Sequence, residues 1–165
     1  MTTNTQAYSA GDWIVHRNHG VAQIEGTEVL HVGGRKSSYF RLQARASTFW
    51  MPPEKMTADW LRPLASRIEI KQALGVLRRA PRRMDADHVK RKSRIDNVKP
   101  NNAPVVIAKL LRDLTARRNE KKQISQTDLK ALRHIADLFL AEWAVCMNLD
   151  MKVVRQQLND LLAKA

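Results

Sequence analysis

Apolar and polar residues alternate in short segments between residues 11 and 53, with turn-forming residues between them. The segments are GDWIVH, VAQIEGTEVLHV, SYFRLQA and TFWMPP. Alternation with a period of two, in segments rich in β-branched and aromatic residues, is typical of half-buried strands. Gly33 and Gly34 are suited to a tight hairpin because glycine tolerates positive φ, and Pro52 with Pro53 ends strand pairing. The pattern predicts about five strands in a small, strongly bent sheet or SH3-like barrel.

The apolar spacing changes to three and four residues after Pro63, which indicates amphipathic helices. One apolar stripe runs through residues 70–77. A second runs through residues 107–114, entered through Asn102 and Pro104 as cap and first-turn residues.

The longest helical pattern lies in the last quarter of the chain. It runs from Ser125 to about Asn148, and Ser125 with Asp128 resembles a capping box. A last helix is predicted over Met151 to Ala163. The C-terminal part of the chain is therefore expected to be entirely helical.

Positive charge is concentrated in the middle of the chain. The 165 residues carry a formal net charge of +13. Residues 1–66 hold seven Lys and Arg against five Asp and Glu, whereas residues 67–99 hold eleven against four. Pattern and charge together predict an α+β multidomain chain, with a small β barrel at residues 8–66 and a compact all-α domain at residues 67–165. The charge implies a polyanionic partner, nucleic acid first and an anionic membrane surface second.

The chain lacks the patterns of several other protein classes. No stretch approaches the roughly 18 apolar residues of a spanning helix, and MTTNTQAYSAGD does not resemble a signal peptide. We therefore expect a cytoplasmic protein, and the lone Cys146, which cannot form an internal disulfide framework, agrees with this. The motifs GxSxG, GxxxxGK[ST], GxGxxG and HExxH are absent. We therefore expect no enzyme, no catalytic residue, no metal and no cofactor, since the side chains of His16 and His19 need not converge.

The tryptophans fall into two groups. Trp13 and Trp143 are expected in the core because each accompanies an apolar pattern. In TFWMPP, Phe49 and Met51 face one side of a strand and Trp50 the other. Trp50 is therefore either a partner contact or an edge-packing residue. Other residues assigned to the core are Met84, Cys146, Met147 and Met151.

Residues 78–95, RRAPRRMDADHVKRKSRI, form the most basic run of the chain. Runs of like charge are usually solvated faces, and that is the alternative interpretation here. Asp85 or Asp87 can cap a helix in this run, so its charges would be held in order. An ordered basic helix makes a surface for phosphates. The side chains at suitable spacing are Lys90, Arg91 and Arg94.

Four motifs resemble those of the CarD/CdnL family of bacterial RNA-polymerase-binding transcription regulators. GDWIVHRNHGVAQIEG is similar to the start of the family's sequences, and TFWMPPEK followed by LRPL is similar to a strand and its exit. IKQALGVLRRAP resembles the first linker helix, and VIAKLLRDL resembles a helix signature. The resemblance follows the order of the family over nearly the whole chain.

The resemblance implies an N-terminal Tudor-like barrel that binds the β subunit of RNA polymerase and a helical domain that contacts promoter DNA. It implies regulation of open-complex formation or stability. The protein is expected in the cytoplasm, associated with the nucleoid through RNA polymerase, as a monomer without membrane contact. Residues expected to contact polymerase are Leu30, Arg35, Trp50 and Pro52. Residues expected to contact DNA are Arg82, Arg83, His88, Val89, Lys90, Arg91, Lys92 and Arg94.

The chain departs from the family at sites that matter for function. The family's wedge tryptophan, which supports the open complex at the minor groove, aligns with His88 or Val89. The basic pair after it aligns with Lys90 and Arg91, or with Arg91 and Lys92. Imidazole or isopropyl offers less stacking surface than indole. The resemblance therefore implies a divergent member that stabilises promoters differently.

Two positions expected to face polymerase also differ, because the family uses arginine approximately where this chain has Leu30 and Trp50. Two other functions stay open on the sequence alone. Small β barrels with basic extensions also serve in RNA-binding or ribosome-associated proteins. The barrel could instead be a Tudor-like protein-interaction module with a non-polymerase partner.

Overall fold

A computed structural model describes residues 7–121 and 123–164. The chain divides into two compact units, Met1–Leu64 and Ala65–Ala165. The predicted boundary after residue 66 lies two residues beyond the observed division. The first six residues of MTTNTQAYSAGD, for which no signal peptide was expected, lie outside the described residues.

The described residues of the first unit form a five-stranded antiparallel sheet with the order β4-β3-β2-β1-β5. The strands are β1 Trp13–His16, β2 Gly20–Val32, β3 Arg35–Ala44, β4 Thr48–Met51 and β5 Leu61–Pro63. Within the described residues no pairing joins β4 to β5, so the sheet is open rather than a closed barrel. Both edge strands are short and end at prolines, which lack the N–H that pairing needs.

The β2–β3 hairpin is built as its sequence predicts. Val32 pairs with Arg35 across Gly33 and Gly34, whose φ values are 59° and 77°. Two positive φ values match the twist of a two-residue hairpin turn. Further along β2, the register shifts between Ile24 and Gly26. Such a bulge bends and twists a strand locally.

One face of the sheet forms the core of the first unit. Its buried residues are Ile14, Ala22, Ile24, Leu42, Ala44, Met51, Met56 and Leu61. Trp13 was expected among them, but it is 38% exposed. The prediction is wrong because Trp13 pairs with Gln23, and that pair points to the face opposite the buried Ile14.

The described residues of the second unit form α1 Arg67–Leu77, α2 His88–Asp96, α3 Pro104–Glu120, α4 Gln126–Met147 and α5 Met151–Ala163. The predicted apolar stripes of α1, α3, α4 and α5 meet in one core. Trp143 and Met84 are buried in it as expected, whereas Met147 and Met151 are half-buried.

The helix ends differ in part from the prediction. Ser125 caps α4 through its side chain, which accepts a hydrogen bond from the amide of Asp128 at 3.1 Å. For α3 the cap is Ala103 with no side-chain bond, and Asn102 instead accepts from the amide of Lys99. Cys146 is half-buried, and its thiol donates to the carbonyl of Ala65 at 3.2 Å. Burial raises the pKa of this thiol, which keeps it protonated and unreactive.

Candidate functional site

The outer face of the sheet, opposite the core, carries three of the four residues predicted to contact polymerase. Leu30 pairs with Ser37 of β3, and Trp50 pairs with Arg41 of the same strand. Paired residues point to the same face, and alternate residues of one strand do so too. Leu30, Arg35 and Trp50 therefore lie on one face. Arg35 is exposed and Leu30 is half-buried there.

Trp50 is 42% exposed on the edge strand β4. Its indole Nε1 donates to Glu28 Oε2 at 2.8 Å, across the intervening strand β3. Arg41, its strand partner, forms an ion pair with Glu25 at 3.0 Å. The polar atom of the indole is thus satisfied inside the domain, which leaves the ring faces for an apolar contact. Pro52 follows β4 directly and is half-buried.

The side chains of His16 and His19, which the sequence alone did not require to converge, lie close together. The turn after β1 brings their ring centroids to 4.9 Å, and His19 stacks on Phe49 at 4.1 Å. His16 is buried, and its Nδ1 accepts hydrogen bonds from the amides of Asn18 and His19. Burial first, and then the charges of His19 and Arg17, lower the pKa of His16 to about 4. Among the described residues, no group of three or more His, Cys, Asp or Glu is placed to hold a metal.

The basic surface of the second unit comprises the exposed cations of residues 78–95. Helix α2 contributes to it and is capped by Asp87, whose side chain accepts a hydrogen bond from the amide of Lys90 at 2.9 Å. The predicted DNA-contacting residues exposed here are Arg82, Arg83, His88, Val89, Lys90 and Lys92. Lys92 also pairs with Asp96 one turn along the helix. The capped helix holds Lys90 and Lys92 in a fixed array, whereas Arg82 and Arg83 lie on the segment before it.

Arg91 is not part of the exposed array, and its prediction as a phosphate contact is corrected. The residue is 5% exposed, and its Nε lies 2.8 Å from Asp128 Oδ2 in α4. Its Nη1 donates to the carbonyls of Asp85 and Ala86 at 3.0 and 3.1 Å. Arg117 of α3 also approaches Asp128, at 3.4 Å. Arg91 therefore ties the start of α2 to α4 and has no face left for DNA.

Arg94 is half-buried and connects α2 to α3 through an ion pair, as Arg91 connects α2 to α4. Its guanidinium contacts Asp113, which also accepts from Arg112 Nε and from the amide of Arg82, both at 2.8 Å. Burial alone would raise the pKa of Asp113, but these hydrogen bonds outweigh it and lower the pKa. Arg94 contributes mainly to the structure beneath the basic surface, since its guanidinium is directed at a buried carboxylate.

Sequence reasoning missed the two buried acids that organise this region. Asp113 lies in the motif VIAKLLRDL, which gave the only signal of its importance. Asp128 was assigned to a capping box, and its amide does bond to Ser125. The carboxylate of Asp128, however, turns to Arg91. A side chain that could serve a cap or an ion pair cannot be assigned without the fold.

The two candidate alignments of the wedge tryptophan differ in exposure and contact. Val89 is 73% exposed in the first turn of α2, beside exposed Lys90. His88 is exposed as well, and its Nδ1 lies 3.5 Å from Nη2 of the buried Arg91. Of the two side chains at the start of α2, Val89 is therefore the more available for contact with a base, because His88 lies against Arg91.

The first unit is a small antiparallel β domain with a core on one face and an exposed tryptophan on the other. Residues 8–65 match the family model of the CarD-like/TRCF RID domain. This match confirms the resemblance to CarD-like proteins over the N-terminal domain, which is a CarD-like RNA-polymerase-interacting domain. No curated protein sequence matches the chain. No helix in the described part of the chain has the length and apolar character needed to cross a membrane.

Proposed function

We propose that the protein is a transcription regulator without enzymatic activity. The outer face of its sheet binds the β subunit of RNA polymerase, and its basic surface binds promoter DNA. The observation that carries the proposal is that Leu30, Arg35 and Trp50 share one exposed face of the domain matched over residues 8–65. The proposed contact with DNA follows from the positive charge of residues 78–95.

The polymerase contact is proposed to be apolar at its centre. The family's arginines are replaced here by Leu30 and Trp50, so the surface offers aliphatic and indole groups with Arg35 beside them. Tryptophan is among the residues that most often dominate the free energy of protein interfaces. We expect Trp50→Ala to weaken binding by about 2 kcal/mol or more, which is about thirtyfold in Kd.

The test uses the full chain and a purified fragment of the polymerase β subunit. Trp50→Ala is compared with Val29→Ala, since Val29 is an exposed apolar residue of the same hairpin that points to the other face. Calorimetry should show a large loss for Trp50→Ala and little change for Val29→Ala. Equal affinities of both variants and the parent chain would refute the assignment of the contact to Trp50. No binding of the parent chain would refute the polymerase contact and favour another protein partner.

The DNA contact rests on exposed cations of the capped helix α2 and of the segment before it. With Arg91 and Arg94 engaged internally, the predicted phosphate-binding side chains are Arg82, Arg83, Lys90 and Lys92. Four phosphate contacts give a slope of log K against log salt of about −3.6. Fluorescence anisotropy with promoter duplex measures this slope. A slope near zero would contradict the assignment, and tighter binding of structured RNA than of DNA would favour an RNA-binding function.

We also propose that the protein holds the open complex through a smaller wedge than its relatives use. Val89 and His88 stand at the exposed start of α2, where the family has tryptophan. An apolar side chain inserted at a base step can hold it unstacked, but isopropyl covers less of a base than indole. The open complex should therefore be stabilised less, while phosphate binding is retained.

A further inference from the structure

Helices α3, α4 and α5 of the second unit line an open groove of about 830 Å³. It shares no residue with the basic surface of residues 78–95. Helix α4 packs against α3 and against α5, so it forms the base of the groove. Each helix contributes a stripe at spacings of three and four residues. Six leucines line it. Leu129 and Leu162 are half-buried, whereas Leu111, Leu132, Leu140 and Leu158 belong to the buried core beneath the groove.

The groove has the length of a short helix. Its residues on α4 extend from Leu129 to Leu140, which is about 16 Å or three helical turns at 1.5 Å per residue. Grooves of this kind take an amphipathic helix whose apolar side chains recur at i, i+3, i+4 and i+7.

The rim of the groove is positively charged. Arg118, Arg133 and Arg155 line it together with Asp137. Arg155 is paired with Asp137 at 3.2 Å, but within the described residues neither Arg118 nor Arg133 has an ion-pair partner. Both are exposed. Two exposed guanidinium groups beside the half-buried Leu129 and Leu162 favour an occupant with carboxylates flanking a short apolar stripe.

We propose that this groove docks an acidic amphipathic helix of a partner protein. A second copy of the chain is a poor occupant, because each copy carries a formal net charge of +13. The site is independent of the proposed contacts with polymerase and DNA. It gives the helical unit a protein-binding surface that shares no residue with its basic one.

The test uses the full chain and a fluorescein-labelled peptide of about 14 residues, nearly four helical turns. The peptide carries leucine at helical spacing with glutamate on its other positions, and a matched peptide carries lysine in place of glutamate. The variant is Arg118→Glu/Arg133→Glu. The control is Lys71→Glu/Lys109→Glu, which makes the same change of net charge at exposed positions outside the groove.

The acidic peptide should bind the parent chain and the control alike, and bind the rim variant about tenfold or more weakly. The lysine peptide should prefer the rim variant. Amide shifts in NMR spectra should map to α3, α4 and α5. Equal weakening in both variants, shifts at residues 78–95, or no binding of the acidic peptide would overturn the proposal. Arg118→Gln/Arg133→Gln provides the same comparison if the charge reversal unfolds the protein.

Discussion

Arg91→Ala separates a structural arginine from a DNA-binding one. In the native protein its guanidinium is buried against Asp128 and two backbone carbonyls. Alanine leaves a buried carboxylate without its main partner, and removal of one member of a buried ion pair costs about 3 to 5 kcal/mol. We expect the lower part of this range, because Arg117 still lies 3.4 Å from Asp128. That is a large part of the stability of an ordinary domain, about 5 to 15 kcal/mol.

The assay is urea denaturation followed by helical circular dichroism, combined with the salt slope of DNA binding under conditions where each variant is folded. Lys90→Ala is the matched control on the preceding residue, which is exposed. It should change stability by less than about 0.5 kcal/mol and reduce the steepness of the slope by about 0.9. Arg91→Ala should lower the free energy of unfolding by about 3 kcal/mol and leave the salt slope unchanged. A loss of less than about 1 kcal/mol together with a shallower slope for Arg91→Ala would refute the buried role.

Three further predictions follow from buried groups and from the helix start. The NMR signals of the His16 ring protons should titrate near pH 4. Because the folded pKa of His16 lies below the unfolded value of 6.5, the free energy of unfolding should fall as the pH drops from 6.5 toward 4. This fall should be smaller in His16→Gln. Asp113→Asn should cost about 2 kcal/mol at pH 7, measured by urea denaturation. This difference should shrink below pH 3.8, because the depressed pKa of Asp113 makes its contribution present above the unfolded pKa and lost as pH falls. Val89→Trp should lengthen open-complex lifetimes with little change in stability, and unchanged lifetimes despite confirmed binding would contradict the wedge hypothesis.

The elements with strong periodicity could be predicted from the sequence. Alternation located β1 to β4 and placed Trp50 opposite Met51, as the structure has it. Strand β5, Leu61–Pro63, was not located, because three residues including a proline carry no alternation. A strongly bent sheet or small barrel was expected from the number of strands, whereas closure also requires a tilt and stagger that bring the two edge strands together, which strand number does not specify.

For the candidate site, the sequence could predict where positive charge is concentrated but not which of the basic side chains face outward. Basic residues in a run identify a region of charge, but adjacent residues of a helix point about 100° apart. The sequence therefore could not say that Arg91 faces inward while Lys90 and Lys92 face outward. Helix α2 has few apolar residues to indicate its buried side, and Val89 points to solvent. An ion pair takes the place of the apolar stripe there, and pairing partners in distant helices leave no local signal.

The buried carboxylates change the interpretation of the charge in residues 78–95. A run of cations that only kept the protein in solution would gain nothing from Asp113 and Asp128, since burying a carboxylate is costly unless its partners are held in place. Here Arg91 and Arg94 engage those two acids and fix α2 and the loop before it against α3 and α4. The cations that remain outside are thereby presented from a rigid base. A surface ordered before it meets a polyanion loses less conformational entropy on binding, so the internal ion pairs favour phosphate recognition over mere solubility.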